Sequence, residues 1–118
     1  MITRIVAKLK TGTIKNVVPF GSANTPAPPY IVVRPEADGL GRGRIYRIFV
    51  HMKPGQQTFL EDYLFNNIPT LLSNFSTDDR HGNHNKVLPE YEYTDITTNN
   101  DDGTISMEMR FLVPQVFF

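Results

Sequence analysis

The sequence predicts one α+β domain: a four-stranded, mainly antiparallel sheet with a short N-terminal helix and a central helix packed on one face, in the order α-β-β-α-β-β. Three observations predict it. Ile2, Ile5, Val6 and Leu9 recur at helical spacing, while residues 44–53 and 105–113 alternate at the period of a strand. Between those two strands, Thr58-Phe59-Leu60-Glu61 opens a second helical stripe. A chain of 118 residues makes a single domain, 1–118, that buries roughly two-thirds of its unfolded surface. Apolar residues at 40% and charged residues at 20% are a globular mix, which excludes wholesale disorder.

The first helix carries Arg4, Lys8 and Lys10 outside its apolar stripe, and Gly12 is placed to cap its C-terminus. So short a helix holds only if the stripe docks onto something. Residues 19–29 contain four prolines and read as an extended connector, because proline withdraws amide donors. Tyr30-Ile31-Val32-Val33-Arg34 is β-branched and aromatic, a strand that Pro35 stops. Residues 35–43 then form a loop around Gly39, Gly41 and Gly43. In the strand 44–53, Tyr46, Ile48, Val50 and Met52 make an unbroken apolar face and the odd positions are mixed.

The central helix is expected over 59–68, with Thr58 and Glu61 as a capping box and Leu60, Tyr63, Leu64 and Ile68 on one face. Pro69 forces a kink or a second short helix carrying Leu71, Leu72 and Phe75. Residues 76–88 read as an exposed polar loop. The remainder is a hairpin: Tyr91 and Tyr93 alternate with polar residues, Asp102-Gly103 turns the chain, and Ile105, Met107, Met109, Phe111 and Val113 face one way on the return.

Several function classes are excluded or disfavoured. There is no cysteine, hence no disulfide framework, thiolate zinc site or cysteine nucleophile. No apolar run approaches the ~18 residues of a membrane span, and no signal peptide is evident, so folding in a cytoplasm is expected. None of Ser22, Ser73, Ser76 and Ser106 sits in a Gly-x-Ser-x-Gly elbow, and Glu90 with Glu92 reads as a solubilising strand face before it reads as an acid–base pair. Asp78, Asp79, His81 and His84 are a candidate metal cluster, but a Gly/Asn loop does not fix four ligands tetrahedrally. We therefore expect no enzyme and no cofactor.

Charge is zero overall and divided along the chain. Residues 1–58 hold nine Lys/Arg against Glu36 and Asp38, a balance of +7, and residues 59–118 balance at −7. Either the halves face each other within one fold, or a positive flank meets the negative flank of a neighbouring copy. Gly39-Leu40-Gly41-Arg42-Gly43-Arg44 is followed by a strand and lacks the Lys-Ser/Thr ending, so it is a hairpin tip and no phosphate loop. Arg42, Arg44 and Arg47, with Arg34, form a basic cluster at one end of that hairpin, open to DNA phosphates or an acidic partner. The arm holding Pro26 and Pro28 suits a neighbour's sheet edge. Val116, Phe117 and Phe118 make either a flap over the chain's own core or an exposed patch that marks a partner.

The order of these elements is similar to that of the tail terminator, or tail completion, proteins of long-tailed bacteriophages of the lambda type. A short N-terminal helix, the proline-led strand 29–33, the long strand 44–53, the capped helix 58–68, a polar loop and a final hairpin carry the resemblance across nearly the whole chain. It implies a structural virion protein that forms a homohexameric ring at the head-proximal end of the tail tube. Such a ring stops tail polymerisation and contacts tube and head-connector proteins, while genomic DNA passes through its lumen without sequence-specific binding. It implies no catalytic residue, cofactor or membrane, and locates the protein in the virion neck after assembly in the host cytoplasm. Another neck protein (head completion or head–tail joining) is the nearest alternative. From a different class stands an autonomous module that binds phosphate or nucleic acid through Arg42, Arg44 and Arg47.

Overall fold

The structure, a computed structural model, describes residues 2–22, 26–37, 43–73, 76–78, 84–86 and 90–114. The elements are α1 (Ile2–Leu9), β1 (Val17–Pro19), β2 (Tyr30–Ala37), β3 (Gly43–Met52), α2 (Gln57–Asp62), a π-helical turn (Tyr63–Asn67), α3 (Ile68–Ser73), β4 (Ser76–Asp78), β5 (His84–Lys86), β6 (Glu90–Tyr93), β7 (Thr97–Thr98) and β8 (Ile105–Pro114). The main sheet runs β1-β2-β3-β8-β6, and β7 pairs with β8 beyond the end of β6. This is an α+β fold with a mixed sheet, so the expected plan of four strands in the order α-β-β-α-β-β is corrected at β1, at β4–β5 and at the two-residue β7.

The first correction is β1, which runs parallel to β2 with Val17 opposite Ile31 and Pro19 opposite Val33. Its three residues are too short for alternation to register. The second is β4–β5, a small antiparallel ribbon with Ser76 opposite Lys86, where a polar loop was expected. Pro35 does not stop β2 either: the strand continues to Ala37, with Pro35 opposite Tyr46. A missing amide donor costs nothing there, because β1 covers β2 only from Ile31 to Val33 and leaves that side of Pro35 open.

All the described helices lie on one face of the sheet. Ile5 and Leu9 of α1 join Ile31, Val33, Ile48, Val50, Met52, Leu60, Leu64, Ile68, Leu72 and Met109 in one core, with Ile2 and Val6 packed against its margin. Complete burial of a leucine or isoleucine is worth about 1.5–3 kcal/mol, and that docking holds an eight-residue helix that would be marginal alone. Gly12 closes the turn after α1 through its N–H to the Leu9 carbonyl (3.1 Å). A Cβ on Gly12 would meet Tyr63 Oη at 2.6 Å and Leu71 Cδ1 at 2.7 Å, so its role is close approach.

The central helix begins two residues earlier than the capping box implies. Gln56 is the N-cap, without a side-chain cap, and its carbonyl accepts from Leu60 N–H at 2.9 Å. Gly55, at φ +81°, turns the chain into α2 directly after β3, which puts Thr58 inside the helix. Pro69 is absorbed without a break between elements: the helix widens into the π turn just upstream and continues as α3. Among the described residues, no helix is long and apolar enough to cross a membrane.

Candidate functional site: the open sheet face and its two edges

With all helices on one side, the alternation of β2, β3 and β8 turns a second set of side chains to the helix-free face. Cross-strand register arranges them in rows. Tyr30, His51, Ser106 and Thr97 form the first, Val32, Phe49 and Glu108 the second, and Arg34, Arg47, Arg110 and Glu92 the third. Tyr30 and His51 stack, with ring centroids 4.4 Å apart and planes inclined by 13°. Burial holds the His51 imidazole below its ordinary pKa, and burial together with the nearby Asp102 charge raises the Tyr30 phenol.

Three arginines in one cross-strand row repel unless carboxylates separate them. Glu108 Oε1 lies 3.2 Å from Arg47 Nη2, and Glu36 Oε2 lies 3.5 Å from Arg47 Nε and 3.3 Å from Arg110 Nη2. Glu92 Oε2 completes the set at 3.2 Å from Arg110 Nη1. The result is a neutralised ladder across four strands. Glu36 Oε2, Arg47 Nε and Arg110 Nε are buried without a well-aligned hydrogen bond among the described residues, so Glu36 acts chiefly as a charge partner, whereas Arg110 Nη1 also donates a hydrogen bond to Glu92 Oε2. Arg34 stands apart, its guanidinium 4.9 Å from the centroid of the Phe20 ring.

At the β1 edge the proline-rich arm rises beside the open face and leaves a groove of about 420 Å³. Phe20, Pro26, Tyr30, Val32, Phe49 and His51 line it. Phe20 is 62% exposed, the most exposed of the large hydrophobic side chains described. The opposite edge bears a second aromatic cluster: Phe65 of the π turn meets Tyr93 of β6 edge-on, with centroids 4.7 Å apart. Tyr93 pairs with the buried Met109, which puts this cluster on the helix side of the sheet.

The sheet order separates the charges as well. Arg4, Lys8, Lys10, Lys15 and Arg34 accompany α1, β1 and β2, with Glu36 the one carboxylate of residues 2–37. Glu90, Glu92 and Asp95 belong to β6 and the segment after it, and residues 90–104 contain no lysine or arginine. Among the described residues β3 and β8 lie between this basic edge and the acidic one, and charges of the two halves meet in mid-sheet where Arg47 pairs with Glu108.

The residues expected to form a site are only partly brought together. Pro26 lines the groove, and Pro28 lines an adjoining hollow with Tyr30, His51 and Asp102. Arg47 is committed to Glu36 and Glu108 in mid-sheet, so the expected basic hairpin tip loses one member. Arg44 lies in β3 opposite Ala37. Arg42, Val116, Phe117, Phe118 and His81 lie outside the described residues. Among the described residues no group of three or more His, Asp or Glu is placed to hold a metal ion. Phe20 and the Tyr30–His51 stack were missed, although the mixed odd positions of 44–53 already signalled a partly apolar second face.

No protein-family model matches the chain, and no curated protein matches it. Six solved chains do. One of them, whose designation describes no activity, superposes with a TM-score of 0.58 at 18% identity, over 94% of this chain and 88% of its own. At that identity the likeness shows the fold alone.

Proposed function

We propose that the protein is a structural ring subunit of the neck of a long-tailed bacteriophage, acting as a tail terminator. On this reading six copies close head to tail at the end of the tail tube, stop its growth and present a surface to the head connector. The observation that carries it is the placement of opposite charge at opposite edges of one sheet. Such a subunit offers two different faces, which is what a heterologous, ring-closing contact requires. The resemblance of the sequence to the tail terminators points the same way, and it implies no catalytic step or cofactor.

The aromatic open face favours a second reading, a stacking platform for single-stranded nucleic acid. That platform needs a positive field, and the ladder works against it: Arg47 and Arg110 are neutralised by Glu36, Glu92 and Glu108. A protein partner suits a face with aromatic residues and paired charges better than a polyanion does.

Native mass spectrometry across a concentration series, with electron microscopy of the same samples, tests the proposal. The expected result is a six-fold species seen as an annulus, with no salt-sensitive affinity for an oligonucleotide. A monomer at every concentration that binds a labelled oligonucleotide with steep salt dependence overturns it in favour of the platform. Rings found at another position in assembled particles would reassign the protein to a different neck role.

A further inference from the structure

We infer that the Phe65–Tyr93 pair at the acidic edge of one copy seats in the groove beside Phe20 and Arg34 at the basic edge of the next, so that adjacent copies overlap like roof tiles. This rests on the ring reading and specifies its contact. The two clusters lie on opposite faces as well as opposite edges: Phe20, Tyr30 and His51 border the helix-free side, Phe65 and Tyr93 the helix side. Copies aligned edge to edge in one plane would keep them apart. A copy displaced so that its acidic edge covers its neighbour's basic edge brings them into contact.

Both clusters have the makings of an interface centre, an aromatic-lined groove and an exposed aromatic pair rimmed by charge. The rims are complementary. Asp62 lies one turn before Phe65 on the same helical run, and Asp95 follows Tyr93 by two residues. Across the contact stand Arg34 beside the groove and Lys15, two residues before β1. Asp102 borders the adjoining hollow and is the one carboxylate there. A two-fold contact would instead set each edge against its own charge, so the repeat is heterologous and propagates until it closes.

The absence of cysteine makes the contact directly testable in the full chain. Phe20 and Phe65 are 62% and 42% exposed, so replacing them spares the core. Under mild oxidation, Phe20→Cys/Phe65→Cys or Phe20→Cys/Tyr93→Cys should give a ladder of covalent oligomers on a non-reducing gel. Phe20→Cys alone and Phe65→Cys alone should remain single chains. Dimers from Phe20→Cys alone would show a two-fold contact and overturn the inference. Rings seen by native mass spectrometry without any covalent ladder would overturn it too, while leaving the ring reading intact. Monomers with no cross-link at any concentration would sink both.

Discussion

Tyr63 does more than fill space. Its hydroxyl accepts the buried Ile14 N–H at 3.2 Å, tying the segment after α1 to the π turn, and it sits where a Cβ on Gly12 would have to go. Tyr63→Phe leaves that amide without its acceptor and should cost about 1–3 kcal/mol in urea unfolding. Gly12→Ala should also destabilise, through the clash. In the double variant the missing hydroxyl opens room for the new methyl group, so the two losses should fall short of adding. Full additivity would mean that Leu71, and not Tyr63, sets the limit at Gly12. His51 gives a second prediction. Its pKa is lowered by burial, so the unfolded chain binds the proton more readily than the fold does. Stability should therefore fall as pH drops through the ordinary histidine value near 6.5 toward the lowered one. The melting temperature should vary less between pH 5 and 7 for His51→Phe than for the parent, and equal slopes would contradict a half-buried imidazole whose protonation the fold disfavours.

At the scale of elements, the ladder joins strands by charge where the helix face joins them by packing. Arg47→Met leaves the largely buried Glu108 without its closest cation and should cost about 1–3 kcal/mol. Arg47→Met/Glu108→Leu should recover part of that loss, because no unpaired charge remains. A double variant worse than the single one would show that the Glu108 carboxylate stabilises the fold even without Arg47, since its backbone hydrogen bonds with Thr94 survive in both variants. The ladder also marks what could be read in advance. Tyr46, Ile48, Val50 and Met52 were legible as a core face because a strand's period of two needs only sequence. Likewise Leu60, Tyr63, Leu64 and Ile68 announced the buried side of the central helix. The pairing of Arg47 with Glu108 was not legible, since it depends on β3 lying beside β8 across more than fifty intervening residues. β1 escaped for a related reason: its three residues acquire a meaning only when β2 lies alongside. The start of α2 was misplaced because the turn at Gly55 outweighs a capping box that fits the sequence equally well. The groove was invisible for the same cause, being assembled from an arm and three strands.

For the whole molecule, the consequence of separated charge is a test that only a head-to-tail contact passes. Arg34 and Asp62 are both exposed, and each would stand on one side of the overlap proposed above. Arg34→Glu places a carboxylate opposite the acidic rim, and Asp62→Arg places a cation opposite the basic one. Each variant alone should raise the concentration needed for half-assembly by about tenfold, the measure of ~1.4 kcal/mol per contact. The two variants mixed in equal amounts should assemble again. In an alternating ring, the groove carrying Arg34→Glu meets the edge carrying Asp62→Arg, a carboxylate against a guanidinium. At the next junction the unaltered Arg34 of the second variant meets the unaltered Asp62 of the first. Both junctions are then attractive, and alternation closes only with an even number of copies, as six allows. Raising salt from 0.1 M to 1 M shortens the screening length from ~10 Å to ~3 Å, so it should erase most of the difference between mixed and unmixed samples while sparing the aromatic contribution. Native mass spectrometry of the mixture, with one variant isotopically heavy, reads the stoichiometry directly. Equal numbers of heavy and light chains in a six-fold species are the expected outcome, and random composition would mean that Arg34 and Asp62 do not face each other.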